Sequence, residues 1–319
     1  MLTAYLDQNK WIEIARAIFR PEIDPGARLM ARQLLQAVED GRLRIPISDV
    51  NIIESHRVGN MEQRQKLAAV FASYSRGWFL ASRRTRLQHE LDRTVCRLFF
   101  PDHTYLDERF DPFARDVFWA FGDYPYLAEA TRVSQAVLLR ITQSVAPEML
   151  LSSLVGEIDD NVRRNTLGRL TEMSADLIQK MQARRLRLRN EPADMYLRVY
   201  SALLLLDDQD HLISALAGRG LSAEHFRSLP ADRAAGFVDE VPCWDVERRI
   251  AVHVERQWSR DLQQNDIDDV GVLTAAIPYC DVVVTEKLWS HVWGQIRPGC
   301  TNYKAVVTAR LTDVLQMLE

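Results

Sequence analysis

The sequence lacks the signatures of several common protein classes. Its four cysteines are widely scattered and form no C-x-x-C pair, which argues against a zinc site and a secreted disulfide framework. The longest apolar runs, such as ALLLL at 202–206, are far too short to span a bilayer. The N-terminus has no basic segment followed by an apolar one, so we expect a cytoplasmic protein without a membrane partner.

Familiar catalytic motifs are missing as well. The phosphate-cradling patterns G-x-x-x-x-G-K-[ST] and G-x-G-x-x-G do not occur, which sets aside nucleotide-binding enzymes of those types. The nucleophile elbow G-x-S-x-G is also absent, so a Ser-His-Asp hydrolase of that type is not expected. The seven histidines never pair at metal-ligand spacing, and we assign them core or surface positions.

The composition is that of a globular protein with a real core. The chain has 319 residues, of which 47% are hydrophobic and 26% are charged. Its formal net charge is -4 and its pI is about 6.0. Any attraction to nucleic acid must therefore come from a local basic patch.

The two ends of the chain have α/β patterns, whereas the middle is helical. Strands are predicted at 1–6, 43–47, 281–287 and 305–309, and a helix closes the chain after 309. Near the N-terminus we expect helices at 10–20 and 27–39, and another that begins at Ser48 or Asp49 as its N-cap. From 61 to 262 helical periodicity dominates and no convincing alternating strand occurs; the helical segments are 61–74, 82–99, 126–144, 147–188, 193–217 and 245–262.

This order of elements predicts an α/β fold whose parallel sheet is built from both chain ends and is interrupted by an all-α insert. The corresponding domain ranges are 1–75, the insertion 76–240, and 241–319.

Carboxylates occur where strands end or helices start. They are Asp7, Glu54, Glu286 and the group Asp266, Asp268 and Asp269. In a parallel sheet these points share one edge, so the acids would converge there. Clustered like charges repel one another, and a hard divalent cation such as Mg²⁺ or Mn²⁺ would make the cluster tolerable.

Each acid also has a simpler explanation. Asp7 alone would more often be a helix cap or a turn residue, and Glu54 could be a solvated acid on an otherwise apolar helix. Asp266 is expected to cap its helix, with Asp269 as a metal ligand and Asp268 as an auxiliary. For Asn9, orientation of Asp7 or of a bound water competes with a turn role.

The same residues give a resemblance to the PIN-domain nucleases. Asp7-Gln8-Asn9 is similar to the family's Asp-x-Asn at the end of the first strand, and SDVNIIE from Ser48 to Glu54 is similar to its S-x-x-x-x-x-E pattern. DVGVLTAAIPYCDVVVTEK resembles the third acid, Asp269, and the strand that follows it. The family's fourth acid follows the Thr of its L-V-T-x-D motif, where this chain has Thr285 and then Glu286-Lys287.

The chain departs from the family in two respects. From Ser55 to Asp268 there are 214 residues, where the family has a few tens, so the resemblance covers about 1–60 and 245–319. Glu286 replaces the commoner Asp, and Asp281 stands nearby. We rank Glu286 first because Asp281 should lie at the opposite edge of the sheet.

The resemblance implies a PIN-like three-layer fold and an Mg²⁺- or Mn²⁺-dependent endonuclease, with RNA ranked before DNA as the substrate because the family mostly cuts RNA. Asp7, Glu54, Asp269 and Glu286 would be the catalytic metal ligands, with Asp268 beside them. The products would carry a 5′-phosphate and a 3′-hydroxyl. Toxins with this fold are endoribonucleases, and an antitoxin or a defence-complex protein would then be a partner.

Basic residues in the insert offer contacts for a polyanionic substrate. The segment 161–190 has eight basic residues against two acids, and we assign Arg184, Arg185 and Arg187 to phosphate binding. Arg84 would hold a further phosphate and Asn9 would also lie near the substrate. A solvated helix face or a docking surface for an acidic partner is the alternative for the basic helix.

Three functions therefore compete at this point: an RNA-cleaving enzyme, a degenerate PIN-like module that binds RNA or protein, and a DNA-directed nuclease of phage defence. The sequence leaves open the oligomeric state, including a homo-oligomer, and the number of metals.

Overall fold

The structure is a computed structural model that describes residues 1–20, 22, 24–101, 110–300 and 302–319. The chain divides into two compact units. The first unit comprises Met1–Ser82, Pro112–Ser174 and Tyr279–Glu319, and the second comprises Arg83–Asp111 and Ala175–Pro278.

A four-stranded parallel sheet forms the centre of the first unit. Its strands are β1 (Leu2–Leu6), β2 (Leu43–Arg44), β5 (Val282–Val284) and β6 (Val306–Thr308), in the order β2-β1-β5-β6. Leu6 is in register with Val284, and Val284 with Thr308. The predicted α/β class, with a parallel sheet contributed by both ends of the chain, is confirmed.

The helices of the first unit follow the strands closely. They are α1 (Gln8–Phe19), α2 (Pro25–Glu39), α3 (Asp49–Ser55), α4 (Met61–Ser75), α6 (Tyr124–Thr131), α7 (Gln135–Ser144), α8 (Pro147–Gly156), α16 (Lys287–Ile296) and α17 (Thr312–Gln316), and α9 (Asp160–Arg187) continues into the second unit.

One face of the sheet is covered by the N-terminal helices. Successive strand residues point to opposite faces, and Ala4, Leu6 and Val284 join one core cluster with Trp11 of α1 and Phe71 of α4. The ring centroids of Trp11 and Phe71 are 5.0 Å apart in an edge-to-face arrangement, a favourable geometry for two aromatic rings. The apolar face of α1 therefore fixes where the chain leaves β1.

The strand order reverses direction between β1 and β5. The chain moves from β1 to β2 on one side of the sheet, and from β5 to β6 on the other. In open parallel sheets the crevice at such a switch point, outside the carboxyl ends of the strands, is where ligands bind. Residues 7–9 and 285–286 follow these two carboxyl ends.

A second, two-stranded sheet was not predicted. The strands β3 (Phe79–Leu80) and β4 (Phe113–Ala114) pair antiparallel, and Ile47 forms an isolated parallel bridge to Phe79. Each strand has two residues, which is too short to show an alternating pattern in the sequence. The absence of strands between 61 and 262 was therefore a wrong prediction.

The second unit is helical in the part that the structure describes. Its helices are α5 (Arg83–Phe99), α10 (Ala193–Asp207), α11 (Gln209–Ala217), α12 (Ala223–Arg227), α13 (Ala231–Asp239), α14 (Pro242–Glu255) and α15 (Gln264–Ala276). Leu87 and Leu91 of α5 share a core cluster with Phe237 and Trp244. Among the described helices of the chain, none has both the length and the apolar character needed to cross a bilayer.

The compact units divide the chain at other positions than the ranges 1–75, 76–240 and 241–319. Helix α8, which lies in the predicted insertion, packs on α4 in the first unit: a Cβ built on Gly156 would be 3.3 Å from the Cγ of Gln65. Helices α14 and α15 belong instead to the second unit. The sequence could not reveal this division because helical periodicity identifies a buried face but not the partner that covers it.

Candidate functional site

Asp7 lies at the carboxyl end of the central strand β1 and is 3% exposed. It is the N-cap of α1, and its carboxylate accepts a hydrogen bond of 2.6 Å from the backbone N–H of Gln8. The hydroxyl of Thr285 donates to the other carboxylate oxygen at 3.2 Å. The cap role considered for Asp7 is thus present, and Thr285 at the end of β5 fixes the same side chain.

Glu286 and Asn9 meet beside this carboxylate. Glu286 is exposed and is the N-cap residue of α16. The side-chain amide of Asn9 donates to the Oε1 atom of Glu286 at 2.5 Å. Asn9 therefore orients Glu286 across the switch point, whereas the sequence had suggested Asp7 or a water as its target.

The alternative acid, Asp281, lies at the other end of the same strand. It precedes β5, and its carboxylate accepts a hydrogen bond from the backbone N–H of Thr3 at 2.8 Å. Its position agrees with the expectation that it lies at the opposite edge from Asp7 and Glu286. Lys287 is exposed at the first position of α16.

The electrostatic environment of Asp7 favours its neutral form. Burial raises the pKa of Asp7 above the ordinary aspartate value, and the negative charge of Glu286 raises this pKa further. The hydrogen bonds from Gln8 and Thr285 and the charge of Lys10 lower the pKa but do not cancel the rise. A bound cation would relieve the cost of a buried carboxylate next to another acid.

The start of α3 is held against β1 by a buried polar network. Ser48 is the N-cap and forms a capping box with Asn51, as the prediction of an N-cap at Ser48 or Asp49 required. The side-chain amide of Asn51 donates to the carbonyl oxygen of Leu6 at 3.2 Å. The hydroxyls of Tyr5 and Ser48 are 2.7 Å apart. This network fixes the helix that contains Glu54 relative to the strand that ends at Asp7.

Glu54 lies on α3 in the same unit, with its side chain 14% exposed and its Oε1 3.8 Å from the Nη1 of Arg57. Burial raises the pKa of Tyr5 well above its ordinary value, and the charges of Asp7 and Glu54 both add to this rise. The Tyr5 hydroxyl is therefore within electrostatic range of both acids.

Tyr5 and Asn51 were not recognised as site residues in the sequence. A tyrosine inside the short apolar strand LTAYL is a usable signal, because a buried phenol hydroxyl requires a hydrogen-bond partner. Asn51, three residues after Ser48, is the capping-box position. Both residues therefore have positioning roles, since they hold α3 against β1.

The third acidic group lies on α15 in the second unit. Asp268 and Asp269 are half-buried, whereas Asp266 is buried and accepts a 2.8 Å hydrogen bond from the backbone N–H of Gln263, the N-cap residue. Asp266 also forms an ion pair with Arg260. The expected capping role of Asp266 is thus present, although through a capping box and not at the N-cap itself.

The basic residues assigned to substrate differ in their surroundings. Arg84 and Arg187 are exposed. Arg184 pairs with the buried Glu255 at 2.5 Å, and the guanidinium of Arg185 donates to the carbonyl oxygen of Arg260 at 2.8 Å. These contacts give Arg184 and Arg185 internal structural roles that the charge pattern could not reveal.

The donors at the switch point suit a hard cation. Asp7 and Glu286 supply carboxylate oxygens, and Mg²⁺ is commonly held by one or two carboxylates while it keeps several waters. Among the described residues, no group of three or more His, Cys, Asp or Glu side chains is close enough to hold a metal ion. The residues therefore fit a cation with few protein ligands, not a cage of protein oxygens.

No protein-family model matches the chain, and neither the curated proteins nor the solved structures contain a match.

Proposed function

We propose that the protein is an Mg²⁺- or Mn²⁺-dependent endonuclease that cleaves RNA, with a PIN-like fold in its first unit. One observation carries the proposal: Asp7 is buried at the sheet's switch point, and the charge of Glu286 raises its pKa. The carboxylates of Asp7 and Glu286 are neighbours at the switch point, and a cation bound there would neutralise their charges. The sequence motifs around Asp7, Glu54 and Asp269 resemble those of PIN-domain nucleases and support phosphodiester cleavage as the reaction.

Each residue has a defined task in this proposal. Asp7 and Glu286 bind the cation, Thr285 holds the Asp7 carboxylate, and Asn9 holds Glu286. Glu54, on α3 of the same unit, adds negative charge that also acts on Tyr5. Held by Asp7 and Glu286, an Mg²⁺ or Mn²⁺ ion would supply Lewis-acid chemistry for phosphodiester hydrolysis.

A degenerate PIN-like module that binds RNA or protein is the second candidate. It is favoured by the absence, among the described residues, of any three-carboxylate group close enough to hold a metal. Such a module would keep the sheet and the capping networks and would not hydrolyse phosphodiesters.

Cleavage of total RNA by the full-length protein separates these two functions. The reaction is run with Mn²⁺ and with EDTA, using the parent, Asp7→Asn and, as a matched control, Asp281→Asn at the opposite end of the same sheet. We expect Mn²⁺-dependent cleavage by the parent and by Asp281→Asn. The Asp7→Asn rate should fall at least about 100-fold, since an amide cannot replace a charged ligand.

Equal cleavage by the parent and Asp7→Asn would refute the assignment of Asp7. Absence of Mn²⁺-dependent cleavage in all three proteins would favour the binding module.

A further inference from the structure

We propose that an exposed aromatic and basic surface of the second unit binds an unpaired nucleic-acid strand. The surface, named here the Trp258 platform, consists of Trp258, Arg185 and Arg189. It deepens the proposed function by naming an unpaired strand as the substrate class, and it rests on that function only for the claim that the bound strand is cleaved.

Trp258 is unusual among the tryptophans of the described chain because it is 43% exposed. It lies in the turn between α14 and α15. The Cζ of Arg185 is 5.1 Å from the centroid of its ring, and the Cζ of Arg189 is 5.9 Å from it. An indole with guanidinium groups against it combines the two features that retain single-stranded nucleic acid.

The turn that contains Trp258 is held in place by α9. The guanidinium of Arg185 donates to the carbonyl oxygen of Arg260 at 2.8 Å and also to that of Gln257. Because both acceptors flank Trp258 in the sequence, Arg185 holds the backbone of the turn on either side of it. The turn that presents the ring is therefore already ordered, which reduces the entropic cost of binding.

The positive charge of the platform is only partly compensated. Arg184 and Arg260 are paired with Glu255 and Asp266, and the carbonyl partners of Arg185 leave its charge intact. Arg189 is exposed and has no ion pair within the described part of the chain. Two exposed acids, Glu191 and Asp261, lie in the adjoining sequence, fewer than the three arginines Arg185, Arg189 and Arg256.

An unpaired strand fits this surface better than a duplex or an acidic peptide. A base can stack on the indole only if it is not already stacked inside a helix. Arg189 has the ring of Trp258 as its described contact, so it can leave the ring to a base and contact a backbone phosphate. An acidic peptide would use the arginines but would gain little from the aromatic ring.

The test is a binding titration by fluorescence anisotropy with the full-length protein in EDTA, which separates binding from cleavage. The probes are a labelled RNA strand of about 12 nucleotides, the same sequence as DNA, and the RNA duplex. Trp258→Ala should weaken single-strand binding about tenfold, the lower part of the range for loss of base stacking. Trp258→Phe should restore most of the affinity.

The variant Arg189→Gln tests the phosphate contact. The slope of log affinity against log salt should fall by about 0.7, the contribution of one charge on a single strand. Matched controls are Arg140→Gln, an exposed arginine on α7, and Phe19→Ala, an exposed aromatic whose ring centroid is 5.8 Å from the Nζ of Lys66. Both controls should bind as the parent does.

Equal single-strand affinity of the parent and Trp258→Ala overturns the proposal, as does tighter binding of the duplex. Tighter binding of a polyglutamate peptide than of either strand also overturns it and assigns the surface to an acidic protein. RNA or DNA bound in the Trp258-dependent manner supports the proposal, and the preferred strand identifies the natural ligand. Trp258-dependent binding without any cleavage would refute the nuclease and leave this inference intact.

Discussion

Two buried aspartates, one in each unit, have opposite electrostatic environments. Asp208 in the second unit is 7% exposed and accepts two hydrogen bonds from Arg83, at 2.9 and 2.8 Å, and one from the indole of Trp244 at 2.8 Å. Burial alone would raise the pKa of Asp208, but these hydrogen bonds and the charge of Arg83 lower it below its ordinary value. Asp7 is buried to a similar degree, but its pKa is raised above the ordinary value.

The difference separates a structural acid from a candidate ligand. A buried carboxylate that serves the fold is paired with a cation of the protein, because an unpaired charge in the interior is costly. The Asp208–Arg83 pair meets this requirement within its own unit. Asp7 forms no ion pair with the residues described in the first unit, and the charge of Lys10 does not cancel the rise in its pKa that burial and Glu286 cause. In the proposed function, a bound cation would be the partner of this carboxylate.

The largest expected effect comes from breaking the structural acid. Asp208→Ala leaves the indole N–H of Trp244 without its acceptor and Arg83 with Glu247 as its remaining partner, so the free energy of unfolding should fall by about 3 kcal/mol. Urea denaturation measures this change. A loss below about 0.5 kcal/mol would mean that the pair does not hold the second unit together.

Substitution of Asp7, the candidate ligand, is expected to stabilise the protein, in contrast to substitution of Asp208. In EDTA at neutral pH, Asp7→Asn should raise the free energy of unfolding by about 1 kcal/mol, the order of the desolvation cost of one buried polar group. Asn remains a good N-cap, so α1 keeps its start. A destabilised variant in the same urea assay would show that the Asp7 charge already has a partner in the fold.

The pH dependence of stability should differ between the two acids. A raised folded-state pKa means that the native state binds a proton more tightly than the unfolded state, so the Asp7 contribution favours folding at low pH. It is lost as the pH rises from the ordinary aspartate value of 3.8 through the raised pKa. The Asp208 contribution is present above 3.8 and is lost as the pH falls through its lowered pKa.

Comparing urea midpoints of the parent, Asp7→Asn and Asp208→Asn across this acidic range checks both signs. If Asp7→Asn leaves the pH profile unchanged, the raised pKa of Asp7 is wrong.

A smaller effect is expected from the neighbouring acid. Glu286→Gln removes the charge that adds to the rise in the Asp7 pKa, so the pKa of Asp7 should move down while burial keeps it above its ordinary value. The carboxyl carbon shift of Asp7 in an NMR titration reports this movement, with Asp281→Asn at the opposite edge of the sheet as a control. An unmoved titration would show that Glu286 does not act on Asp7.

The sequence predicts the parts of the fold that depend on local pattern. The apolar runs of β1, β5 and β6 and the N-cap Ser48 were identified because each has its own residue signature. Breaks between helices were missed, as at Asp208, where the predicted helix 193–217 divides into α10 and α11. Asp208 is held there by Arg83, 125 positions away, and no local pattern records such a contact.

The residues of the candidate site also fall into those that a local sequence pattern identified and those that it missed. Asp7, Asn9 and Glu286 were identified because they follow strand ends, and the structure brings these three together. Tyr5 was missed because its hydroxyl contact with Ser48 depends on the pairing of distant segments. The internal contacts of Arg184 were equally hidden, since a basic helix face has the same sequence pattern whether its charges meet solvent or a buried acid.

The most direct test of the account is Mn²⁺ binding, measured by electron paramagnetic resonance as the loss of the free-ion signal at neutral pH. The parent should bind Mn²⁺, Asp7→Asn and Glu286→Gln should lose at least about tenfold in affinity, and Asp281→Asn should bind as the parent does. Equal Mn²⁺ binding by the parent and Asp7→Asn would contradict the assignment of a cation site to the switch point between β1 and β5.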